Sequence, residues 1–148
     1  MEPSITWRGP VSLSHHQLLL VDGKIGAPHP TRSLNGLVAA WPDAVVILTG
    51  IHTRAVNVTV ELHNSPPAID HDRDWDEIAD ISLESTTGRL GLTGLMLDPP
   101  EGFGNLAWQG SGHYRLRVYA RGRDTRIGGV ADEPVEDYLL QIWSAPTS

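Results

Sequence analysis

The sequence predicts an all-β protein: a single-domain antiparallel β-sandwich of about eight strands, with one short helix near residues 33–41. Three observations lead there. Apolar residues recur with period two in several segments, turn chemistry separates those segments at short intervals, and 148 residues suffice for one good core but not two. Residues 1–148 are therefore expected to form one domain.

Taken in order, the first apolar stretch runs from Val11 to Val21 and ends at Asp22-Gly23, a turn dipeptide. Next, Leu34, Leu37, Val38 and Trp41 fall at i, i+3, i+4 and i+7, the spacing of a helix face. Ser33 would cap its start and Pro42 would stop it, although Gly36 weakens it. Ala44 to Thr53 reads as a strand. Beyond it, Val56, Val58, Val60 and Leu62 alternate with Asn57, Thr59, Glu61 and His63. Thr53-Arg54 leaves so short a join that these two runs are expected to form a hairpin.

Asn64-Ser65-Pro66-Pro67 breaks the pattern, and alternation resumes from Trp75 to Leu83. Arg89 to Met96 and Asn105 to Gln109 are further strand candidates. Tyr114, Leu116, Val118 and Ala120 then share one face, opposite His113, Arg115, Arg117, Tyr119 and Arg121. Val135 to Ser144 closes the series.

Composition narrows function. The formal net charge is −7, from 18 acidic and 11 basic residues. Direct nucleic-acid binding rests on cationic neutralisation of phosphates, which such a surface opposes. A basic protein is the better partner, because opposite fields speed encounter and fix orientation. Cysteine is absent, which excludes disulfides, thiolate zinc sites and cysteine nucleophiles. No basic segment followed by an apolar core marks a secretory signal, and no apolar run approaches a bilayer span, so a cytoplasmic location is expected, with no membrane contact.

The acidic run Asp70-His71-Asp72-Arg73-Asp74-Trp75-Asp76-Glu77, with Asp80, places six of the eighteen carboxylates within eleven residues. Alternate carboxylates would suit a hard cation, but the EF-hand pattern fails: its glycine is missing and Ile81 stands where its last acid belongs. A solvated loop or a negative patch for a cationic partner fits better. Asp72, Asp74, Trp75 and Asp76 are the residues expected to make that contact.

Seven histidines are scattered or, at His15 and His16, adjacent, so no chelating pair is evident and no metal is expected. Arg115, Arg117, Arg121, Arg123 and Arg126 would line an anion groove or pair across strands with the acids from Asp76 to Glu84, or with Glu136 and Asp137. Pairing is the expectation. Gly102, Gly104, Gly110 and Gly112 lack the helix and lysine of a phosphate cradle, and no G-x-S-x-G elbow exists. Neither a catalytic residue nor a cofactor is expected, although carboxylates assembled from distant strands would escape this reading.

Five tryptophans, at 7, 41, 75, 108 and 143, keep a second function open: a carbohydrate or small-ligand β-sandwich with an aromatic platform. Trp143 is expected to face away from Tyr138, Leu140 and Ile142.

Read end to end, the chain resembles the competence protein J family, small acidic bacterial proteins associated with inhibition of a DNA-entry nuclease. The resemblance runs through Leu13-Ser14-His15-His16-Gln17, Gly36-Leu37-Val38-Ala39-Ala40 and the strand-turn-strand that follows. It resumes in Gly112-His113-Tyr114-Arg115-Leu116 and Tyr138-Leu139-Leu140-Gln141-Ile142. This chain departs from the pattern in a longer, more arginine-rich loop near residues 121–134. The resemblance implies an inhibitor or immunity partner of a basic nuclease, and it assigns no individual residue a role.

Overall fold

A computed structural model describes residues 5–13, 17–22, 38–41, 44–48, 53–69, 75–85, 87–94, 103–122, 130–131 and 136–145. The strands are β1 (Ile5–Leu13), β2 (Gln17–Asp22), β3 (Val38–Trp41), β4 (Ala44–Leu48), β5 (Thr53–His63), β6 (Glu77–Ser85), β7 (Leu90–Gly94), β8 (Gly112–Arg121), β9 (Val130–Ala131) and β10 (Asp137–Ser144). They form two sheets. The larger has the order β1-β5-β10-β8-β6, with β9 also on β5, and the smaller has the order β3-β4-β2-β7. Among the described residues no helix is long and apolar enough to cross a membrane.

The alternation read from the sequence decides which face of each strand meets the core. Val56, Val58, Val60 and Leu62 of β5, Tyr138, Leu140 and Ile142 of β10, and Leu116, Val118 and Ala120 of β8 point inward together. Leu18, Leu20, Val45, Ile47, Leu90 and Leu92 of the smaller sheet join them in one cluster, so a single core separates the two sheets. Trp7, Phe103 and Trp108 pack on its margin. On the other face of the smaller sheet, Leu19, Val21 and Val46 are also buried.

Several local expectations change. Val38–Trp41 is a strand, not the end of a helix, and residues 33–37 lie outside the described residues. A ladder with the apolar β4, in which Trp41 pairs with Ala44 and Val38 with Ile47, outweighs a helical spacing already interrupted by Gly36. The Val11–Val21 run divides between sheets: β1 pairs with β5, and β2 pairs with β4 and β7. β4 and β5 likewise lie in different sheets, so Thr53-Arg54 does not close a hairpin. Period two marks a strand without saying which sheet takes it.

Asn105–Gln109 is a loop. The Asn105 side chain accepts from the amides of Leu90 (2.8 Å) and Ala107 (3.0 Å), and donates to the Gly88 carbonyl (2.8 Å). These bonds replace a ladder and hold Leu106 and Ala107 in the core. Ile5–Pro10 was not expected as a strand. Its Gly9-Pro10 pair is tolerated because β1 lies at a sheet edge.

The larger sheet is antiparallel except at β5, which runs parallel to β10 and to β9. β10 is the middle strand of the five-strand path, and all six residues from Tyr138 to Trp143 are buried.

Before β8, Gly110 adopts φ 91°, a region glycine enters freely. Tyr114 fastens this turn: its hydroxyl donates to the Gly110 carbonyl at 2.6 Å and accepts from the Gln109 amide at 3.1 Å. Burial pushes the Tyr114 pKa above its ordinary value of 10.0, and the Gln109 amide opposes this only in part. The unfolded chain ionises Tyr114 first, so its contribution to stability is fully present below about pH 10 and is lost as pH rises through the higher folded value. Tyr114→Phe is expected to flatten this alkaline decline at a cost near neutral pH of about 1 kcal/mol, read from urea midpoints across the alkaline range.

Candidate functional site

In a two-sheet sandwich the outer face of a sheet is normally solvated. Here part of the outer face of the larger sheet, centred on β10 and β8, is buried. β5 and β6 stand second and last in the sheet order, separated by β10 and β8. Two described residues between β5 and β6 in sequence, Pro67 and Trp75, meet this face. Arg117 donates to the Pro67 carbonyl at 3.0 Å, and the Trp75 ring lies 5.4 Å from that of Tyr119. Leu139, Tyr119, Gln141, Trp143 and His63, all on this outer face, are buried.

The register sets polar residues in rows across this face. Glu61, Gln141, Arg117 and Asp80 stand side by side on β5, β10, β8 and β6. Gln141 donates to Glu61 at 3.1 Å and accepts from the Tyr119 hydroxyl at 2.9 Å. His63 shares a 3.0 Å hydrogen bond with the same Glu61 oxygen. Arg117 donates to Asp80 at 3.0 Å and stacks over Trp143 at 5.2 Å. Burial works against its charge, but Tyr119 and Asp80 together hold the guanidinium pKa above the usual arginine value.

Two rows along, Asn57, Asp137 and Arg121 align on β5, β10 and β8. Asp137 accepts from Asn57 at 3.1 Å on one oxygen, and on the other from Arg121 at 2.9 and 3.3 Å. Arg121 also lies 5.0 Å over the Trp75 ring. Together with Arg8 and Thr59 these residues line a concavity of about 410 Å³ on the outer face.

The expected contact residues are thus placed in part. Trp75 is half-buried against Tyr119. Asp76 is exposed, and its carboxylate accepts from the Gly122 amide at 2.9 Å while its own amide donates to the Ala120 carbonyl at 2.9 Å. Asp72 and Asp74 lie outside the described residues. Cross-strand pairing of the arginines holds for Arg117 with Asp80 and for Arg121 with Asp137, and Arg115 donates to Ser82. Trp143 does face away from Tyr138, Leu140 and Ile142, yet it is only 5% exposed.

Sequence reasoning missed the concavity. Asn57 and Thr59 were visible on the polar face of β5, but Arg8 sits on an unexpected strand, and only the parallel β5–β10 pairing brings Asn57 beside Asp137. Among the described residues, no three of His, Cys, Asp or Glu are grouped so as to hold a metal ion.

No family model matches the chain, and no curated protein matches it in sequence. Solved structures do match it in shape over nearly its whole length. The crystal structure of ComJ from Bacillus subtilis, described as an inhibitor of the DNA degrading activity of NucA, has a TM-score of 0.65 at 15% identity, covering 95% of this chain and 98% of that one. The protein described as Crocagin biosynthetic gene J has a TM-score of 0.61 at 16% identity, covering 96% and 98%. The chain therefore has the fold that these two proteins share.

Proposed function

We propose that this protein is a binding domain, not an enzyme, and that it inhibits a basic nuclease, acting as one unit of 148 residues without a cofactor. The observation that carries this reading is the whole-length likeness in fold to ComJ, itself an inhibitor of the DNA degrading activity of NucA. The net charge of −7 supports it independently. A cleft built to hold phosphates is a cluster of cationic and hydrogen-bond-donating groups, and a protein presenting carboxylates at matching spacing competes for it.

Asp72, Asp74 and Asp76 are the carboxylates assigned to this task, with Trp75 between them. Trp75 itself is held from within the fold, by Tyr119 and Arg121. Nucleic acid and membrane are not partners in this reading, and the protein works in the cytoplasm beside its target. The alternative of an aromatic sugar platform gains nothing from the described tryptophans, since Trp7, Trp75 and Trp108 are half-buried and Trp143 is buried.

The test is capture of partners by the purified protein from its own host's lysate, at low and at high salt. A single basic protein retained at low salt and released at high salt is expected. Retention of no basic protein at either salt would count against the proposal.

A further inference from the structure

The concavity beside Trp75 has a hydrogen-bond balance of its own. Among the described residues that line it, Asp137 supplies the only side-chain carboxylate, and both of that carboxylate's oxygens are already engaged, by Asn57 and by Arg121. Donors remain. Arg8 is exposed and gives only its Nε, to Thr59 at 3.3 Å, so its two terminal amino groups have no partner among the described residues. Among the described residues, one terminal amino group of Arg121 and the second amide hydrogen of Asn57 also have no partner. Among its described lining residues two guanidiniums face one carboxylate, an excess of one positive charge, on a chain whose net charge is −7.

A donor-rich site with one net positive charge selects an acceptor-rich ligand with one negative charge. The volume of about 410 Å³ lies at the small end of ligand sites, enough for one or two amino-acid residues. Trp75 supplies an apolar wall. We propose that this concavity binds a small carboxylate, the size of an acylated amino acid or the last residue of a peptide, with Arg8 and Arg121 on the carboxylate and Trp75 against the adjoining apolar group. A doubly charged phosphate monoester fits the charge balance less well. The proposal does not rest on the nuclease reading, although Trp75 belongs to both: the lining is formed by described residues of this chain, and binding of a small acid needs no protein partner.

The experiment is titration of the full-length protein with N-acetyl-L-phenylalanine, its uncharged amide, phenyl phosphate, and a short peptide ending in phenylalanine with a free or amidated terminus. Calorimetry gives affinity, and NMR follows the Trp75 indole and the Asn57 side-chain amide. The free carboxylates are expected to bind at one site, with the amides at least about tenfold weaker. Arg8→Gln is expected to weaken the carboxylates by a similar factor. Arg115→Gln, which removes the same charge elsewhere on the sheet, leaves binding unchanged. A tighter free peptide than free amino acid makes a peptide terminus the ligand, and the reverse makes it a small acid. Three results would each overturn the proposal: no carboxylate binding at millimolar concentration, equal binding of acid and amide, or phenyl phosphate preferred over both carboxylates.

Discussion

Replacing Asp72, Asp74 and Asp76 together by lysine is expected to weaken the complex with a basic nuclease by roughly two to three orders of magnitude at low salt. The effect follows from placing positive charge where the partner's surface is itself positive, and it should shrink as salt rises. Folding should survive. Asp76 is exposed, and loss of its bond to the Gly122 amide costs no more than about 1 kcal/mol. Calorimetric titration of the captured nuclease with wild-type and variant protein reads this directly. Unchanged affinity would remove the acidic run from the interface, whatever the partner proves to be. Trp75→Ala would be a poorer probe, because Trp75 packs on Tyr119 and under Arg121 and its loss would remove both contacts.

Arg117→Ala is expected to produce the largest loss of stability of any single charged-residue change, about 2–4 kcal/mol. The side chain is 11% exposed and joins three things: Asp80 on β6, the Pro67 carbonyl between β5 and β6 in sequence, and the Trp143 ring on β10. Removing it strands the carbonyl of a buried proline and opens a gap over Trp143. Asp80→Asn, by contrast, alters a partner that is 40% exposed and should cost less than about 1 kcal/mol. Urea unfolding of the two variants separates these outcomes. Equal, small losses would mean that residues 64–69 are not fastened to the sheet by Arg117.

The core was legible because burial on one face of a strand imposes strict alternation. Val56 to Leu62 and Tyr114 to Ala120 announce both their strand state and their inward residues. Sheet membership was not legible, since the apolar run of β4 and the alternation of β5 each mark a strand while only long-range pairing assigns it to a sheet. The outer face misled for a related reason. Arg117, Gln141 and His63 look like solvated positions yet are buried, and period two carries no sign of contacts such as that of Arg117 with the Pro67 carbonyl. Of the candidate contacts, the acidic run was visible as composition. The concavity between Arg8 and Arg121 was not, because β1 was unexpected and the strands that bring the two arginines together lie far apart in the chain.

The central claim, that this fold serves here to inhibit a nuclease, is tested most directly by titrating the protein into a DNA-degradation assay of the basic nuclease it retains. The account predicts that degradation falls in proportion to added protein and ceases near stoichiometric equivalence, with the Asp72/Asp74/Asp76→Lys variant ineffective. Undiminished degradation at a large molar excess of the wild-type protein would contradict it.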